Sequence, residues 1–163
     1  MYGKATETAI AAMSRLAEVW DGGKTRVSAD DIAKTRGLQR PFVAKVLTTL
    51  SQHGLVKGSR GPGGGFALAR EPKRIKLYDV FRLFERESKG DNCPFGGGTC
   101  GVGEPCPLHH KLVRVNEAIH DVLQNSTFED FRVAYQGDGQ TAKAPAPPAG
   151  KRRRDSFRAS QPK

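Results

Sequence analysis

With 163 residues, 37% of them apolar and 27% charged, the chain has room for one domain with appendages. No apolar run reaches the length of a bilayer span, and the N-terminus lacks the charged-then-apolar layout of a secretory signal, so a soluble cytoplasmic protein is expected. A formal net charge of +10 points to a polyanionic partner, nucleic acid before membrane, although residues 137–163 hold seven of the Lys/Arg residues against Asp138 and Asp155.

In chain order, residues 6–20 read as an amphipathic helix, with Ile10, Met13, Leu16, Ala17 and Trp20 at helical spacing and Asp21-Gly22-Gly23 ending it. Glu7 lies in its first turn, where a carboxylate suits the helix dipole. Ser28 is a plausible N-cap for a short helix over 29–34, and Gly37-Leu38 turns out of it. A second helix starts near Pro41 and runs through Val43, Val46, Leu47 and Leu50 to Gly54. Two short helices, a glycine turn and the small Ala33 at the crossing make a helix-turn-helix pattern, or an ordinary helical hairpin.

The next stretch favours the first of these. Residues 55–59 and 66–69 read as two strands around Arg60-Gly61-Pro62-Gly63-Gly64-Gly65, and a hairpin after a helix-turn-helix is a wing. The turn lacks the Lys-Ser/Thr of a phosphate loop. Arg60, with Gly61 and Gly63 beside it, suits insertion into a narrow, electronegative minor groove. The expected base- and phosphate-facing residues of the second helix are Gln39, Arg40, Pro41, Ala44, Lys45 and Thr48.

Residues 75–87 read as a further amphipathic helix. All three cysteines then fall in one span, Cys93, Cys100 and Cys106, spaced C-x6-C-x5-C among glycines. Three thiolates on one loop suit iron–sulfur or zinc. Paired C-x2-C knuckles are missing and the gaps are wide, which favours a cluster over zinc; thiols acting directly as a redox switch are the remaining option. Pro107 is expected to open a long helix to about Gln124, whose Leu108, Leu112, Val115, Ile119 and Val122 form a heptad seam suited to helix pairing or to docking on its own domain. Thr127 caps a short last helix, 128–135. From residue 137 the chain reads as a disordered basic tail that adds non-specific DNA affinity or only solubility.

The sequence resembles the IscR/NsrR type of bacterial winged-helix regulators, the Rrf2 family, over residues 1–136. Gly54-Leu55-Val56, the following Arg60-Gly61-Pro62-Gly63-Gly64-Gly65-Phe66, and three cysteines ahead of a long helix carry the resemblance. It implies a homodimer in which the long helices cross and each winged helix enters double-stranded DNA. It also implies an iron–sulfur cluster, [2Fe–2S] or [4Fe–4S], held by the three cysteines and one other ligand. The IscR type uses a histidine at the spacing of His109, and the NsrR type a carboxylate donated by the other subunit of the dimer from the start of the first helix, where Glu7 stands. Both are present, with Glu7 preferred because a histidine near Cys106 can occur without ligating. The first cysteine gap has six residues where five is usual in the IscR type.

The expected fold is therefore mainly α with a small β-hairpin wing. A winged helix-turn-helix spans 1–88, a cysteine loop 89–106, and a dimerisation helix with a short last helix 107–136; a basic tail spans 137–163. The expected function is transcriptional repression through operator binding, modulated by a cluster that senses nitric oxide, redox state or cluster supply. A zinc-stabilised regulator without sensing is the alternative, and an iron–sulfur electron carrier a weaker one. No catalytic set or cofactor fingerprint suggests an enzyme.

Overall fold

A computed structural model of the chain describes residues 3–85 and 106–138. The first helix, α1 (Lys4–Glu18), is the axis of the fold: Ala9, Ala12, Met13 and Ala17 are fully buried and Leu16 nearly so. Its bounds sit two residues earlier than the apolar spacing suggests. Trp20 is beyond the helix, half-buried against the core, with its ring over Gly23.

The next two helices follow their local signals. In α2 (Ala29–Arg36) the Ser28 hydroxyl accepts from Asp31 N–H at 3.0 Å, and Gly37 closes the helix in the left-handed conformation, φ 64°. Helix α3 (Arg40–Gln52) has Gln39 at its N-cap and Pro41 in its first turn, where the missing N–H has no intrahelical partner to lose. Ile32 and Ala33 of α2 meet Val43, Val46, Leu47 and Leu50 of α3 in the core, and Ala33 is small enough to let the helices cross.

Strands β1 (Val56–Ser59) and β2 (Gly65–Leu68) form an antiparallel hairpin with Val56 opposite Leu68 and Ser59 opposite Gly65. Its tip has Pro62 followed by Gly63 at φ 72°, and Gly64 N–H donates to the Gly61 carbonyl at 2.9 Å, the arrangement of a type II turn. Gly64 is obligatory for space: a Cβ there would lie 2.5 Å from the Ser59 carbonyl oxygen. Val27 pairs with Phe66 as an isolated bridge, which ties the hairpin to the segment before α2.

The amphipathic stretch expected over 75–87 forms one helix, α4 (Leu77–Phe84), that starts two residues later, with a 3-10 turn, Pro72–Arg74, ahead of it. The reason is non-local: Ile75 and Leu77 are engaged in backbone bonds to the far end of the chain, Phe128 N–H to the Ile75 carbonyl at 3.0 Å and Leu77 N–H to the Ser126 carbonyl at 3.1 Å. Helix α5 (His109–Asn125) starts later than Pro107, because the Leu108 carbonyl accepts from Lys111 and Leu112 and makes Leu108 its N-cap. Helix α6 (Phe128–Asp138) returns onto α1 and the 3-10 turn, with Phe128 fully buried and stacked on Phe131. Among the described residues the architecture is thus six helices and a two-stranded hairpin, the expected mainly-α winged helix-turn-helix. No helix among them is long and apolar enough to cross a membrane.

Candidate nucleic-acid interface and metal centre

The α3 side chains divide cleanly. Val43, Val46, Leu47 and Leu50 are buried, while Gln39, Arg40, Pro41, Lys45 and Thr48 are exposed and Ala44 is half-buried. Thr48 donates its hydroxyl to the Ala44 carbonyl at 2.9 Å, which fixes its rotamer and leaves the oxygen's lone pairs outward. Arg60, Gly61 and Gly63 are exposed at the wing tip.

The whole-chain composition hides one signal: residues 39–70 contain no Asp or Glu, yet hold Arg40, Lys45, Lys57, Arg60 and Arg70. This is the stretch that folds into α3 and the hairpin, so the uncompensated positive charge belongs to the folded body and not only to the tail. In the first turn of α2, Asp30 forms an ion pair with Lys34 at 2.6 Å. The Lys34 hydrogen bond, aided by its charge and that of Arg40, holds the Asp30 carboxyl below the usual range, and Asp30 in turn raises Lys34.

Cys93 and Cys100 lie outside the described residues, as do the rest of the expected loop up to residue 105 and the expected tail from residue 139; α6 runs to Asp138, three residues past the expected end of the last helix. Cys106 is half-buried at the foot of α5, where its carbonyl accepts from His109 N–H at 2.9 Å. His109 is half-buried, its ring edge-on to His110 at 5.5 Å. Glu7 is exposed in the first turn of α1; its N–H donates to the Gly3 carbonyl at 3.2 Å, and its carboxylate makes no hydrogen bond or ion pair among the described residues. Among those residues no three His, Cys, Asp or Glu side chains converge as a metal site. The donor set itself, three thiols with a solvent-facing carboxylate or a half-buried imidazole, is chemically suited to an iron–sulfur group.

The α5 seam is only partly used within the chain. Leu123 is buried and Ile119 packs against the core, but Leu108, Val115 and Val122 are 40%, 54% and 50% exposed. His120 meets Tyr78 of α4 edge-on at 5.7 Å.

Two polar connections escaped the sequence reading. At the N-terminus of α1, Glu85 accepts hydrogen bonds from Gly3 N–H at 2.6 Å and from the Thr6 hydroxyl. Near its other end, Glu18 pairs with Arg15 at 3.1 Å and with Arg36, the last residue of α2. Arg36 also donates to the Ala11 carbonyl at 3.2 Å and the Ser14 hydroxyl at 3.1 Å. Neither connection has a local sequence signature, since each joins residues far apart in the chain.

Comparison with known proteins places this arrangement. Residues 2–133 match the family Rrf2, described as "Iron-dependent Transcriptional regulator". An HTH-type transcriptional regulator of Aquifex aeolicus (strain VF5) is 37% identical over 107 residues, 64% of this chain and 74% of that protein. The HTH-type transcriptional regulator IscR of Klebsiella pneumoniae (strain 342) is 28% identical over 101 residues, covering 62% of this chain and 61% of its own. Among solved structures, T. potens IscR superposes with a TM-score of 0.62 at 28% identity, covering 88% of this chain and 90% of that one. CymR, the global cysteine regulator of B. subtilis, superposes with a TM-score of 0.63 at 25% identity, covering 82% and 97%. The chain belongs to the Rrf2 family of helix-turn-helix transcriptional regulators.

Proposed function

We propose that this regulator is a homodimeric repressor whose operator binding is governed by an iron–sulfur cluster. The observation that carries the reading is positional: every thiol of the chain falls in one span, Cys93 to Cys106, between a winged helix whose residues 39–70 contain no Asp or Glu and a helix with an exposed apolar seam. The family's description as iron-dependent supports it.

In this reading Gln39, Arg40, Pro41, Ala44, Lys45 and Thr48 face the major groove, and Arg60, Gly61 and Gly63 enter the minor groove. Ala44 offers a base edge only methyl contact, so an operator is read there by shape or by thymine methyls and not by a hydrogen bond. A second copy covers Leu108, Val115 and Val122 on α5, and pairing of the seams sets the spacing of two winged helices on half-sites about one helical turn apart.

Cys93, Cys100 and Cys106 would hold the cluster, with Glu7 or His109 completing the set. When bound, it supplies a redox-active, nitric-oxide-reactive centre that a hard carboxylate ligand makes more labile than an all-thiolate one. The chain's own part is to hold Cys106 at the foot of α5 and to place Glu7 on the helix that backs the helix-turn-helix.

Anaerobic purification, visible absorbance, an iron and zinc count per chain, and operator titration test the reading together. The expected result is a brown protein with iron in a whole-number ratio to chain, whose operator affinity changes when the colour is bleached by nitric oxide or oxidant. A colourless protein with one zinc per chain overturns the sensor, and a brown protein without DNA affinity overturns the repressor.

A further inference from the structure

A cleft of about 390 Å³ opens where the start of α1 meets the turn of the helix-turn-helix, lined by Lys4, Thr8, Gly37, Leu38, Gln39 and Phe42. That is within the size range of small-molecule sites. Leu38 and Phe42 are half-buried and give the cleft an apolar wall. Its charge has one sign. Lys4 is exposed and makes no ion pair among the described residues, and the described lining contains no acid.

Two sets of donors at the cleft are unused. Helix α3 has no side-chain cap, and neither Gln39 N–H nor Arg40 N–H finds an acceptor among the described residues. Thr8 is 1% exposed, and its hydroxyl has no hydrogen-bond partner there either. A helical threonine can donate to the carbonyl one turn back, as Thr48 does to Ala44, but Thr8 does not. A buried hydroxyl without a partner is unfavourable until something accepts from it. A cation, an uncapped helix N-terminus and an orphan hydroxyl beside an apolar wall suit an anion with an apolar body. A bare inorganic ion would leave Leu38 and Phe42 uncovered.

We propose that this cleft binds a small organic carboxylate and that the bound anion weakens operator binding. Its carboxylate is held by Lys4, Thr8 and the N-terminus of α3, and its apolar body lies against Leu38 and Phe42. The effect on DNA rests on the reading of α3 as the operator-facing helix; the site does not. Gln39 both lines the cleft and leads that helix, so a negative charge placed beside it repels operator phosphates. Operator must then weaken the carboxylate by the same factor.

The test uses the full chain, isolated without oxygen, as wild type, Thr8→Val and Lys4→Ala. Phenylacetate is the probe and phenylacetamide its neutral counterpart. Calorimetric titration should give saturable binding of phenylacetate with a Kd of about 1 mM or tighter, reasonable for about ten non-hydrogen atoms. The amide should bind at least about tenfold more weakly. Thr8→Val keeps the side-chain shape, so its Tm should be no lower than wild type while phenylacetate affinity falls about fivefold or more. Lys4→Ala should lose about as much. No saturable binding, equal binding of acid and amide, or affinity unmoved by both substitutions overturns the site.

Operator titration at constant ionic strength supplies the second readout. Phenylacetate at about ten times its Kd should weaken wild-type binding about threefold or more, and phenylacetamide should not. Saturable phenylacetate binding with unchanged operator affinity overturns the antagonism. Inorganic phosphate binding as tightly as phenylacetate, with Lys4→Ala weakening operator binding in the absence of either, makes the cleft a seat for an operator phosphate and overturns the small-molecule site. A protein without operator affinity overturns the reading of α3 alone, because calorimetry still decides the cleft.

Discussion

Val27 and Phe66 exchange two backbone hydrogen bonds, Val27 N–H to the Phe66 carbonyl at 2.9 Å and Phe66 N–H to the Val27 carbonyl at 2.8 Å. They make the segment ahead of α2 a third partner of the wing, so the hairpin is anchored to the helix-turn-helix and its tip is aimed. The approach leaves no room at the neighbouring Gly65, whose Cβ would lie 2.8 Å from the Val27 carbonyl oxygen. Val27 is in the core and cannot yield. Gly65→Ala should therefore break the bridge and destabilise the fold by about 1–3 kcal/mol. Thermal unfolding should show a lowered Tm, and operator titration a weakened affinity, with helical circular dichroism retained.

Arg60 tests the wing from the other side. It is exposed at the tip and makes no ion pair among the described residues, so its removal should leave Tm unchanged. Arg60→Ala should weaken operator binding by about 1–3 kcal/mol and reduce the slope of log affinity against log salt by about 1. Fluorescence anisotropy across a salt series measures both. An altered visible spectrum in this variant would mean that the wing is misassigned.

How far these features were legible depends on how local they are. Ser28, Gly37 and Pro41 act within one helical turn of themselves, and the helix-turn-helix is found where they put it. The glycine turn at 61–64 is equally local. The stretch 75–87 reads as one amphipathic helix because its apolar period is continuous, but Ile75 and Leu77 are claimed by Phe128 and Ser126 across the fold. The Glu85 cap and the Glu18–Arg36 pair have the same non-local origin. The acid-free run over 39–70 was in plain view and needed only a count by segment in place of one by chain. Cys93 and Cys100, the strongest chemical signal in the sequence, lie outside the described residues.

The Glu18–Arg36 pair should couple measurably. Their side chains are 9% and 12% exposed, so Arg36→Met leaves Glu18 with Arg15 alone and also strips Ser14 and the Ala11 carbonyl of a donor. A loss of about 1–3 kcal/mol is expected for a buried acceptor deprived of a partner. Glu18→Gln should cost less once Arg36 is already Met than it does alone, giving a coupling energy of about 0.5–3 kcal/mol in the double-mutant cycle. Denaturant unfolding of the four proteins gives the cycle directly, and additive effects would mean that the pair acts only through its separate contacts.

Glu7 and His109 should separate in a single comparison. The Glu7 carboxylate is exposed and makes no hydrogen bond or ion pair among the described residues, so Glu7→Ala should lower the Tm of the metal-free protein only slightly, through the helix dipole. If Glu7 is the fourth ligand, its variant alone should shift the visible spectrum and hasten bleaching by oxygen. His109→Ala should then leave the spectrum as in wild type. The reverse pattern assigns His109, and unchanged spectra in both variants exclude each of them.

The α5 seam yields the prediction on which operator recognition as a dimer depends. Val115 is 54% exposed and Val122 50%, so neither supports the monomer's own core, whereas Leu123 on the same helix is buried and does. A charge at Val115 is therefore harmless to the folded monomer and unfavourable only where a second seam desolvates it. Wild type should run as a dimer in sedimentation velocity and Val115→Glu as a monomer, with the Tm at low concentration changed little. Two half-sites bound independently lose the advantage of linkage, so affinity for a palindromic operator should fall by about 10²-fold or more. Binding to a single half-site should be nearly unchanged, because α3 and the wing are untouched. A Val115→Glu protein that stays dimeric would place the pairing surface elsewhere than this seam.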